Sequence, residues 1–130
     1  MIKHASHAVE GRMLDAAGVA GALRRWVPLG ATVAENWARE WRILGVARNG
    51  ATAYPAWQFD QAGLPISAMR DIILSLRPAL DAEEMLAWLH APCAALGDRA
   101  PCDVLREDPE AVKAAARKRG AEPTRYPMAG

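Results

Sequence analysis

Ile43-Leu44-Gly45-Val46-Ala47-Arg48-Asn49-Gly50-Ala51-Thr52-Ala53-Tyr54 is the sharpest local signal in this chain. Two short, moderately β-prone runs, Ile43–Arg48 and Ala51–Tyr54, flank Asn49-Gly50. Asn-Gly is the preferred two-residue type I′ hairpin loop because both of its residues must adopt positive φ. The stretch therefore predicts a β-hairpin, with helices on both sides of it.

Upstream, Thr32 is a good helix N-cap, and Glu35 three residues later completes a capping box. Val33, Trp37, Trp41 and Leu44 recur at helical spacing, which predicts one apolar face with both tryptophans in the core. Before it, Ala16, Val19, Ala20 and Leu23 share one face of a helix expected over Leu14–Arg25, stopped by Pro28 and Gly30. Residues 1–12 show no periodicity and read as a frayed leader; His4 and His7, three apart on a terminus, make a poor metal site.

Downstream, Tyr54-Pro55-Ala56-Trp57-Gln58-Phe59 is an aromatic-dense connector, and Asp60, Gly63 and Pro65 make a turn. A third helix is expected over Ile66–Leu76 and a fourth from Asp81, an N-cap supported by Glu84; Met85, Leu86 and Leu89 face inward. Short turns follow around Ala94–Leu96 and Asp103–Leu105. Asp108-Pro109-Glu110 opens a last helix that Gly120 closes, and 121–130 read as a tail. The apolar side of that last helix (Val112, Ala115, Ala116) is narrow, which predicts either loose packing or a partner surface.

Composition agrees. The 130 residues are 52% hydrophobic and 24% charged, with five Trp against three Phe plus Tyr, which favours helices around a few large anchors over a β-sandwich. Net charge is +1, which excludes a strongly basic DNA coat or an acidic tail. No run approaches the ~20 apolar residues of a membrane span, and no signal peptide opens the chain. The expectation is a soluble, cytoplasmic protein without membrane contact, with Cys93 and Cys102 as reduced thiols.

Catalytic chemistry is thin. Ser6, Ser67 and Ser75 lie in no nucleophile elbow, and Gly18-Val19-Ala20-Gly21 lacks a phosphate-cradling pattern. The paired carboxylates Glu83-Glu84 and Glu107-Asp108 sit at helix N-termini, where acids stabilise the macrodipole. His90, Cys93 and Cys102, with Asp98 or Asp103, are the one metal-like constellation. It lacks the two close pairs of a structural zinc site, and buried free cysteines acting as small hydrophobes are commoner. No cofactor or metal is expected, and no enzyme activity.

Helix, turn, capped helix and hairpin is the order of a winged or excisionase-like helix-turn-helix module. In it Asn36, Arg39 and Arg42 would read DNA, and Arg48 at the hairpin tip would clamp phosphate. Five arginines (24, 25, 39, 42, 48) against Glu35 and Glu40 give the region a local +3. The alternative is a solvated face on which Glu35 pairs with Arg39. Lys113, Arg117, Lys118 and Arg119 likewise suit a helix C-terminus without any partner.

Trp88-Leu89-His90-Ala91-Pro92-Cys93, Leu96-Gly97-Asp98, Pro101, Leu105 and Asp108–Val112 resemble, in order, the Xre/MbcA/ParS antitoxin-type toxin-binding domain. Pro55-Ala56-Trp57-Gln58-Phe59 is similar to a segment that precedes this domain in some members. The likeness covers roughly 13–115, and departs from the usual pattern at Cys93, where Asn is common, and at Asp98, where a second Gly is common. It implies a mainly helical fold of about five helices and one hairpin. The expected parts are a leader (1–12), a helix-turn-helix-like module (13–60), a toxin-binding helical domain (61–120) and a tail (121–130). It also implies an antitoxin, partner of a RES-type, NAD-consuming toxin, that autoregulates its promoter and forms a homodimer or a higher assembly with the toxin. Arg99, Arg106, Lys113 and Arg117 would then face the toxin, with the last helix and tail blocking its cleft. The competing expectation is a transcription regulator without a toxin, dimerising through its C-terminal helices.

Overall fold

The computed structural model describes residues 13–22 and 32–122. The expected leader with His4 and His7, the end of the first helix with Arg24 and Arg25, and the chain beyond 122 lie outside the described residues. Within them the chain is mainly helical, with a small antiparallel sheet. The helices are α1 (Ala16–Ala22), α2 (Thr32–Arg39), α3 (Ala68–Leu76), α4 (Ala82–His90), α5 (Pro101–Val104) and α6 (Pro109–Ala121). The strands are β1 (Met13–Leu14), β2 (Val46–Arg48) and β3 (Ala51–Pro55), and single 3-10 turns cover Ala56–Gln58 and Ala94–Leu96.

The hairpin forms as its loop chemistry demands. Arg48 pairs with Ala51 across a two-residue loop in which Asn49 has φ 53° and Gly50 φ 81°. A third strand was not expected: Met13 pairs with Pro55 and Leu14 with Tyr54, giving the order β1-β3-β2. The first helix therefore starts later than Leu14, where the Asp15 carboxylate accepts from Gly18 N at 2.7 Å.

The second helix ends earlier than its apolar spacing suggested. Arg42 N donates to Trp37 O at 2.9 Å and Trp41 N to Ala38 O at 3.1 Å, the bond pair of a Schellman motif. Trp41 occupies its left-handed position, normally glycine's, at φ 64°. Its side chain leaves the helical register and is 37% exposed, the one large hydrophobic so exposed among the described residues. Trp41 is thus not a core anchor. Trp37 is buried, and Trp57 and Trp88 pack at the edge of the core.

Two hydrophobic clusters result, and the hairpin serves both. Leu44 and Val46 join α3, α4 and α6 in the larger, around Met69, Ile72, Leu76, Leu89 and Leu105. Ile43 and Tyr54 join Val19, Ala34, Trp37 and Phe59 in the smaller. α4 begins with the expected capping box between Asp81 and Glu84, and α6 with Asp108 as N-cap and Pro109 at its first position.

α6 is not loosely packed. Val112 and Ala116 are fully buried and Ala115 nearly so, and α6 forms its most extensive contact with α3. Gly120 does not end the helix, which includes Ala121. An added Cβ at Gly120 would lie 1.8 Å from Ser75 O, so glycine is there because two backbones meet. The small side chains read as a weak face are what permit this approach.

Candidate functional site

The residues expected to read DNA are largely bonded to the protein itself. Arg39 donates to Asn36 Oδ1 at 2.6 Å rather than pairing with Glu35. The Arg42 guanidinium lies 5.6 Å from the Trp37 ring centroid and 3.8 Å from Glu40. Arg48 makes two bonds to the Glu83 carboxylate, at 2.5 and 3.3 Å, which tie the hairpin to α4. Arg39 and Arg42 remain exposed; Arg48 is half-buried.

Most residues expected to face a toxin are also engaged. Arg99 pairs with Glu107, which holds that carboxyl below its usual range through hydrogen bond and charge together. Arg106 donates to Phe59 O. Lys113 bridges Glu110 at 3.0 Å and Asp71 at 3.3 Å, and these bonds raise its ammonium pKa. Arg119 pairs with Glu122 at 3.4 Å. Arg117 and Lys118 are exposed and make no ion pair or side-chain hydrogen bond among the described residues. Lys118 borders a shallow groove of about 190 Å³ with Trp88, Cys93, Ala94, Ala95 and Ala115.

The metal-like constellation is not brought together: among the described residues no three His, Cys, Asp or Glu side chains converge on a common point. His90 Nε2 instead accepts from Trp57 Nε1 at 3.0 Å. Cys93 and Cys102 are free thiols, and burial, with Asp103 beside it, pushes the Cys102 thiol up to about 11. No helix among the described residues is long and apolar enough to cross a membrane.

Sequence reasoning missed a concavity outside all of these residues' expected roles. A cleft of about 510 Å³ opens where the two hydrophobic clusters meet, between α2, the hairpin and the α3–α4 turn. Ile43, Leu44, Ile73, Leu80 and Met85 line it, with Trp41 among the exposed lining. Gly45 opens its hairpin wall, since a Cβ there would lie 2.8 Å from Thr52 Cγ2 and 2.9 Å from Tyr54 Cε1. The one available signal was Trp41 itself, at the spot where helical spacing and a left-handed helix end compete. No family model matches the chain, and neither does any curated protein or solved structure.

Proposed function

We propose that the chain is an antitoxin-like binding protein whose C-terminal helices cover a cognate toxin, of the NAD-consuming RES type that the sequence resemblance implies. Promoter contact by α2 and the hairpin is the accompanying role. The observation that carries the reading is the exposed pair Arg117 and Lys118 on a helix whose other cations, Lys113 and Arg119, are paired internally. Unpaired cations beside a small apolar groove suit a partner with carboxylates around an apolar projection. Because α6 is anchored on α3, neutralisation works by presenting a rigid surface, and the helix does not peel away to enter a cleft.

The alternative of a toxin-free regulator dimerising through the C-terminal helices is less favoured, because the apolar face of α6 is already buried against α3 in the same chain. In promoter contact the work falls to Arg39 and Arg42, since Arg48 is held by Glu83.

The test is co-expression with the protein encoded by the adjacent reading frame, read by co-purification and growth rescue. A tight complex and rescue, both lost in the double variant Arg117→Glu, Lys118→Glu while its helical circular dichroism is kept, support the reading. Absence of any complex or toxicity overturns it.

A further inference from the structure

We propose that the 510 Å³ cleft between α2, the hairpin and the α3–α4 turn is a binding site for a small neutral molecule with an aromatic body and one hydrogen-bond acceptor. The inference rests on the cleft alone and stands apart from the antitoxin reading.

Size comes first. The volume falls within the ~300–1,000 Å³ of small-molecule clefts, and the lining is mainly apolar with a few polar groups, as such sites require. The charge around it is balanced: Glu35 and Asp81 face Arg39 and Arg77. A net anion meets two carboxylates and a net cation two guanidinia, so a neutral ligand fits best, and a polyanion such as nucleic acid fits poorly.

The aromatic preference comes from Trp41. Its backbone is held at φ 64°, a left-handed conformation that is strained for a bulky residue. The Arg77 guanidinium lies 3.9 Å from the ring centroid, which fixes the indole in place. A strained, fixed and exposed indole at the lip of an apolar cleft is a stacking surface for another ring.

The acceptor preference comes from Tyr54. The residue is 2% exposed and lines the cleft, and its hydroxyl makes no hydrogen bond among the described residues. No side-chain N or O atom among them is both sealed and unpartnered, so this hydroxyl keeps solvent contact. Burial, and secondarily the Glu35 carboxylate, raise its pKa, so it stays protonated and able to donate.

Titration of the full chain with the neutral ketone dye prodan tests this. Saturable one-to-one binding with blue-shifted emission is expected. Thr52→Trp, which fills the cleft from an exposed strand position, should weaken binding at least about tenfold, Trp41→Ala about fivefold and Tyr54→Phe about threefold. Anilinonaphthalene sulfonate, an anion of similar size, should bind more weakly than prodan. Any of three results overturns the proposal: no saturable binding, tighter binding of the anion, or unchanged prodan affinity in a folded Thr52→Trp variant. Should Thr52→Trp not fold, unchanged affinity in Trp41→Ala overturns it equally.

Discussion

The Gln58 side chain spans the backbone of Leu44: its Oε1 accepts from Leu44 N at 2.7 Å and its Nε2 donates to Leu44 O at 2.9 Å. The amide thereby imitates a strand neighbour for a residue that has none. Gln58 is fully buried, and Leu44 belongs to the larger cluster while Phe59, next to Gln58, belongs to the smaller. One side chain thus fixes the connector to the approach of the hairpin, the seam on which the cleft opens.

Gln58→Ala should be the most damaging polar substitution in the protein. It leaves a buried N–H and a buried carbonyl without partners, at about 1–3 kcal/mol each, and adds a cavity. Urea denaturation should show a loss of about 3–5 kcal/mol. A loss below about 1 kcal/mol would mean that water replaces the amide, and that the clamp does not hold the seam.

What the sequence made legible was local. Asn49-Gly50, the Asp81–Glu84 capping box and Asp108-Pro109 each carry their geometry within a few residues, and each element formed where they placed it. Gln58 was visible only as part of a motif, because its partner lies 14 residues away. Trp41 was misplaced because a four-residue spacing after Trp37 fits a helix, whereas the chain had already turned left-handed. Gly120 was misread as a terminator for a related reason: a glycine near a helix end signals either a cap or a close approach, and only packing decides. Arg48 and Lys113 were placed on elements that form, but their carboxylate partners, like that of the loop residue Arg99, could not be assigned from spacing.

Gly120→Ala separates those two roles. At an exposed helical site the change stabilises by roughly 1 kcal/mol through helix propensity. Here the new methyl meets Ser75 backbone atoms at 1.8 and 2.8 Å, and neither helix can yield without opening the Val112–Ala116 contact. The expected result is a loss of at least about 2 kcal/mol and a melting temperature lower by several degrees. A gain in stability would show that α6 ends before Gly120 in solution.

Asp98→Gly should act in the opposite direction. Gly97 and Asp98 are both left-handed, at φ 69° and 64°, where the loop folds back so that Asp98 N donates to Cys93 O at 2.9 Å and Cys93 N to Arg99 O at 3.1 Å. Asp98 is exposed, so glycine removes the strain and loses little packing, although it adds freedom to the unfolded chain. A stabilisation of about 0.5–1 kcal/mol is expected by thermal melting. Asp98→Val, β-branched at positive φ, should destabilise by more than that.

The Cys102 thiol is raised to about 11 from an ordinary 9.0, first by burial and then by the Asp103 carboxylate. The neutral thiol is the form the fold favours. Its contribution to stability is therefore complete below pH 9 and is lost as pH rises toward 11. In a Cys93→Ser background, alkylation of Cys102 by iodoacetamide should be slow at pH 8 and accelerate steeply up to pH 11, while the urea-unfolded chain reacts quickly already at pH 9. Equal rates for folded and unfolded protein at pH 8 would mean that the α5 turn opens freely, and that Cys102 is not shielded by it.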